Sequence, residues 1–103
     1  MGPREAAEVL RRGDAVALDV REPWEWEQGH VTGALHIPMR ELAVRPDDLP
    51  AETPIVVICR SGNRSGVVAR ALRANGHDAH NLDGGLKAWK REGLPLAAPG
   101  RVA

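Results

Sequence analysis

Four consecutive β-branched residues, Ile55-Val56-Val57-Ile58, run straight into the chain's only cysteine, Cys59, and the next six residues are Arg60-Ser61-Gly62-Asn63-Arg64-Ser65. A continuous apolar stretch with no polar alternation suits a strand covered on both faces, and such strands belong to parallel sheets flanked by helices. Behind the turn, Val67, Val68, Ala71 and Leu72 recur at helical spacing up to a stop at Gly76. The spacing predicts a helix starting near Asn63 or Ser65, which puts the cysteine in a strand-to-helix turn.

The rest of the chain repeats this alternation. Pro3 to Arg12 predicts a short helix with Ala6, Val9 and Leu10 on one face and Gly13 as its stop. AVALDV at 15–20 predicts a second buried strand, in which Asp19 is an unusual polar interruption. A short helical piece is expected around Trp24 to Gln28, and a brief strand near Ala34 to His36 after breaks at Gly29 and Gly33. From Pro38 to Pro54 the chain reads as surface loop, with helix only over Met39 to Ala43. Ala79 to Leu82 reads as the last strand, Gly84-Gly85 as a turn, and Leu86 to Glu92 as a helix carrying Trp89. The expected fold class is α/β: a parallel β-sheet flanked by helices on both faces, in a three-layer sandwich. A length of 103 residues fits a single domain over 1–103, with 98–103 a frayed tail.

Composition removes several function classes. Fourteen basic residues balance fourteen acidic ones, so no net field attracts nucleic acid or an anionic membrane, and any anion site is local. No apolar run approaches the roughly 20 residues of a membrane span. The opening segment MGPREAAEVL carries acids and no apolar stretch, and a soluble, cytoplasmic protein is expected. One cysteine excludes an internal disulfide and any zinc site built on several thiolates. His30, His36, His77 and His80 lack the close helical pairing of zinc motifs, so neither a metal nor a cofactor is expected. With no Phe or Tyr in the chain, Trp24, Trp26 and Trp89 are read as core or surface packing, and so are His30 and His36.

The turn after Ile58 has the chemistry of an anion cradle. In open parallel sheets, ligands collect beyond the carboxyl ends of the strands, which is where Cys59 stands. Gly62 lets the backbone bend tightly, several amides point inward, and a helix begins. These features favour a thiolate with a lowered pKa. The competing view is that Cys59 is a small buried hydrophobe ending a strand. That view leaves unexplained two arginines in one short turn with no carboxylate among them.

Three segments, DVREPWEWEQGHVTGALHIP at 19–38, VVICRSGNRS at 56–65 and LDGGLKAWKREGLP at 82–95, resemble in order the signatures of the rhodanese family. The resemblance covers most of the chain. It implies a nucleophilic Cys59 that carries sulfane sulfur as a persulfide, taken from thiosulfate or a similar donor and passed to cyanide or a thiol. It makes Arg60, Ser61, Gly62, Asn63 and Arg64 the loop that cradles the persulfide or the donor's oxyanion. Asp19, Arg21 and Ser65 become supports beside that loop. Exposed charge contacts are typically worth about 1 kcal/mol or less, so Arg60 and Arg64 are equally readable as solvated charge. Asp19 and Arg21 are more readily read as a buried ion pair that only fixes the fold than as catalytic groups.

Two other functions compete. Tyrosine-phosphatase-like enzymes and arsenate reductases place an arginine after five intervening residues, where it clamps a tetrahedral oxyanion. Here that position holds Ser65, and Arg64 comes one residue early. Rhodanese-like domains also serve as non-catalytic modules or as sulfur relays to an acceptor protein.

Overall fold

The computed structural model describes residues 1–44 and 49–97. The tail expected at 98–103 lies outside these residues, as does part of the loop before Pro54. Four helices, α1 (Pro3–Arg11), α2 (Pro23–Trp26), α3 (Asn63–Ala74) and α4 (Gly85–Arg91), alternate with four strands among the described residues. The strands are β1 (Val16–Asp19), β2 (Leu35–His36), β3 (Ile55–Ile58) and β4 (Ala79–Asn81), and a 3₁₀ helix spans Met39–Val44.

Among the described residues the four strands pair in parallel, in the order β2-β1-β3-β4, and an isolated antiparallel bridge joins His30 to Ala97. The apolar run that dominates the sequence occupies the second of the two central positions, and its four residues are fully buried. Alternation along β3 then sorts side chains between two cores. Ile55, Val57 and Cys59 join Leu18, Val20, Val68 and Ala69 on the α3 side. Val56 and Ile58 join Ala6, Ala17, Leu86 and Trp89 on the side covered by α1 and α4. Burying each large aliphatic residue contributes roughly 1.5–3 kcal/mol, and the two cores together form the three-layer sandwich.

Several element ends shift by a residue or two from expectation, and α4 takes in Gly85, which the sequence places in a turn. α2 ends at Trp26 rather than near Gln28, because the buried Arg21 guanidinium draws the carbonyls of Glu25 and Gly29 to itself and turns the chain away. Pro23 in the first turn and a Glu22–Glu25 capping box set its start. The 3₁₀ helix extends to Val44, one residue past the expected helical stretch. Trp89 is buried with its indole N–H donating to Pro95 O, and Trp26 stacks on His30 and His36. Trp24 alone among the tryptophans is largely exposed, at 65%. No described helix is long and apolar enough to cross a membrane.

Candidate active site

β3 delivers Cys59 to the mouth of the sheet, and the chain turns at once into α3. Gly62, with φ +97°, is the cap of α3 and adopts a conformation that L side chains rarely reach. The turn wraps donors around the sulfur. Gly62 N donates to Cys59 Sγ at 3.1 Å, Ser65 N at 3.4 Å, and the Ser65 hydroxyl stands 3.1 Å away. Cys59 is 1% exposed and Ser65 is fully buried. Burial pushes the Cys59 thiol up, but the Ser65 hydroxyl outweighs it together with the amides of Ser65, Gly62 and, more weakly, Ser61. The net shift is downward, toward thiolate.

Asn81, at the end of β4, braces the turn from behind. Its amide nitrogen donates to Gly62 O at 3.2 Å, and its oxygen accepts from the Ser65 hydroxyl at 2.5 Å. α4 braces the other side. Leu86 N donates to Cys59 O and Lys87 N to Arg60 O, at 2.9 and 3.0 Å. Those two carbonyls are thereby held by α4 rather than left without partners. The approach depends on Gly85, where a Cβ would lie 2.5 Å from the Arg60 carbonyl carbon and oxygen.

The arginines of the turn part company. Arg64 Nη1 and Nη2 donate to the two carboxylate oxygens of Glu25 at 2.7 and 2.8 Å. That fork holds the Glu25 carboxyl down at about 2 against the opposing effect of its burial, and in return it raises Arg64 further. Arg64 therefore straps the turn to α2, whereas Arg60 is exposed with no acidic partner among the described residues. Ser61 and Asn63 are also exposed and line the outer rim.

Asp19 and Arg21 form a buried ion pair, 2.8 Å from Nη2 to Oδ2, with the Arg21 backbone N–H donating to Asp19 Oδ1. The remaining guanidinium donors go to Glu25 O and Gly29 O. The pair does not touch the sulfur. It fixes the backbone of α2, which presents Glu25 to Arg64, and so supports the turn through two intermediaries.

The structure thus brings Cys59, Gly62 and Ser65 together with a weaker contribution from the Ser61 amide, places Arg64 beside them as a strap, and leaves Arg60 and Asn63 outside the ring of contacts to sulfur. Glu25 and Asn81 are the two residues that sequence reasoning misses. Glu25 completes the capping pattern of α2, which accounts for its presence locally and hides its second role. Asn81 reads as an ordinary polar residue closing a strand.

The rhodanese-like domain family matches residues 2–92. A protein named sulfurtransferase from Allochromatium vinosum is 39% identical over 87 residues, which are 84% of this chain and 81% of that protein. The uncharacterised protein YqhL of Bacillus subtilis is 42% identical over 76 residues, 73% of this chain and 60% of the relative. Among solved structures, a rhodanese-related protein from Thermoplasma volcanium superposes with a TM-score of 0.89 at 30% identity, covering 94% of this chain and 95% of that one. From its first helix to its last, the chain belongs to the rhodanese-like domain family.

Proposed function

We propose that this protein is a sulfurtransferase that takes sulfane sulfur from thiosulfate, or a donor like it, onto Cys59 and passes it to cyanide or a thiol. The observation that carries the reading is the ring of donors on the sulfur: two amides and a hydroxyl within 3.4 Å of Sγ, with the thiol pKa lowered in spite of burial. A merely structural cysteine at a strand end has no use for donors aimed at anionic sulfur.

In the loading step the Cys59 thiolate attacks the outer sulfur of thiosulfate. A new S–S bond forms, the old one breaks, and sulfite leaves with the electron pair of the broken bond. The persulfide anion then lies in the cradle of the turn, where the loop amides offset its charge and Arg60 adds positive charge at the rim. In the unloading step an acceptor thiolate or cyanide attacks that outer sulfur, and the electron pair returns to Sγ. Because the chain holds no second cysteine, no internal thiol resolves the persulfide.

Intact-mass measurement after thiosulfate treatment and desalting tests this. The wild type is expected to gain one sulfur atom and lose it to cyanide, and Cys59→Ser to gain none. An unshifted wild type, or an equal gain in the serine variant, would return the protein to the class of non-catalytic binding modules.

A further inference from the structure

Beside the reactive turn, between α2 and α4, lies a cleft of about 360 Å³ whose walls include Arg21, Trp24, Glu25, Arg60, Lys87 and Lys90. Its size falls within the range of small-molecule sites. Two of its charged pairs are already satisfied: Arg21 by Asp19, and Glu25 by Arg64. What remains is a surplus of three cations, since Arg60, Lys87 and Lys90 have no acidic partner among the described residues. Elsewhere Arg4 pairs with Glu92, Arg11 and Arg12 with Glu8, and Arg40 with Glu22; Arg70, Arg73 and Arg91 share the lack of an acidic partner among the described residues but do not line this cleft.

The chain has only two lysines, and both line this cleft. They lie three residues apart on α4, so their side chains rise from the same face about 5–6 Å apart at Cβ. Lys87 begins next to the reactive turn, its backbone N–H bonded to Arg60 O. Trp24 offers an exposed indole opposite them, with an N–H donor and a flat apolar face. Every uncommitted charge in the cleft is positive, although the chain as a whole is neutral.

The geometry points to this cleft as a recognition site for the carboxylates of a small dianionic thiol, which serves as the sulfur acceptor. The inference rests on the sulfurtransferase reading and names the acceptor class for it. Three uncommitted cations exceed the charge of one carboxylate, and two carboxylates come closer to balancing them. A thiol bearing two can lie along α4 with its sulfur end at the Arg60 wall, where the cleft meets the reactive turn. In the transfer, the bound thiolate attacks the outer sulfur of the Cys59 persulfide, leaves as its own persulfide anion, and returns the electron pair to Sγ.

Two measurements test it with mercaptosuccinate as the dianionic probe. In the first, sulfite release from saturating thiosulfate is followed with mercaptosuccinate, 2-mercaptoethanol or cysteamine as acceptor, in the wild type and in a Lys87→Glu/Lys90→Glu double variant. Comparing each thiol between the two proteins cancels its intrinsic reactivity. The double variant is expected to lower kcat/KM for mercaptosuccinate by about tenfold, change 2-mercaptoethanol little, and favour cysteamine. Equal effects on all three thiols would overturn the inference. The second measurement needs no sulfur chemistry, so it separates this inference from the reading beneath it. Cys59→Ser protein is titrated with methylthiosuccinate, which cannot react, while the three tryptophan indole N–H resonances are followed by NMR and assigned through Trp24→Phe. The Trp24 resonance is expected to shift saturably, less at high salt, and to stay still when Lys87 and Lys90 are also replaced by Glu. A Trp24 signal that does not move, or that moves equally in the lysine variant, would eliminate the cleft as the site even if sulfur loads normally.

Discussion

Ser65 Oγ donates to Asn81 Oδ1 across 2.5 Å, and the same oxygen stands 3.1 Å from Cys59 Sγ. A hydroxyl has one proton, so it serves one of these acceptors at a time. Asn81 cannot turn its other atom toward Ser65 without breaking the bond from its amide nitrogen to Gly62 O. The proton therefore goes to sulfur when sulfur is anionic, because charge-assisted bonds are the stronger ones. It returns to Asn81 when sulfur is neutral, as in the thiol.

Ser65→Ala should accordingly raise the Cys59 pKa toward the ordinary thiol value, because it removes the strongest of the donors that hold the thiolate. Asn81→Asp should raise it as well, since a carboxylate keeps the Ser65 proton and repels the thiolate. Thiolate absorbance titrated against pH measures both. Titration curves that coincide with the wild type would show that the hydroxyl plays no part in holding the thiolate.

Alkylation of Cys59 by iodoacetamide should rise with pH through a midpoint below the ordinary value of about 8.5 and then level off. The sign follows from the lowered pKa: thiolate already dominates above that midpoint, and further alkali adds none. A midpoint above the ordinary thiol value would mean that burial outweighs the donors.

Glu25→Gln should loosen the turn and lower stability by about 1–3 kcal/mol near neutral pH, because it removes the carboxylate that accepts the Arg64 fork. With the folded pKa held at about 2, the contribution of the carboxylate is complete above its unfolded pKa and disappears as pH falls toward about 2. Urea unfolding at neutral and acid pH should show the gap between wild type and variant closing in acid. A gap that is constant with pH would assign the loss to packing instead.

Gly85→Ala should be among the most damaging single changes. It forces a side chain into φ +62° and sets Cβ against the Arg60 carbonyl, at a cost of roughly 1–3 kcal/mol from backbone strain alone. Sulfur loading should fall together with thermal stability. A variant that unfolds at the wild-type temperature and loads normally would show that α4 does not need to approach this closely.

Aryl phosphate hydrolysis should be negligible beside sulfur transfer. The turn from Cys59 to Arg64 is one residue too short to enclose a phosphoryl group, and the guanidinium that would have to clamp it is occupied by Glu25. Turnover of an aryl phosphate at a rate matching sulfite release would defeat both statements.

β3 and α3 were legible because local pattern and tertiary role agree there. An apolar run is buried on both faces, and a glycine opens the helix that follows. Asp19 stood out in the sequence for the reason it matters in the fold, as a charge in a strand that must find a partner. Arg21 is that partner, two residues away. Glu25 and Asn81 were not legible, because each works through a contact many residues distant, and nothing local distinguishes such a residue from a capping acid or a strand-end amide. The cleft between α2 and α4 escaped for the same reason. Lys87, Lys90 and Trp24 are ordinary surface residues until the fold brings them onto one depression.

The surroundings of Cys59 are contributed from both directions along the chain: Glu25 from before the turn, Asn81 and the first amides of α4 from after it. Every sheet pairing joins distant segments too, and such topologies fold slowly. During refolding, β3 can be seated beside β1 before Asn81 and α4 brace the turn from outside. The depressed thiol pKa comes from donors within residues 61–65, so the ionisation of a single sulfur atom reports the closing of its own turn and not the docking of α4.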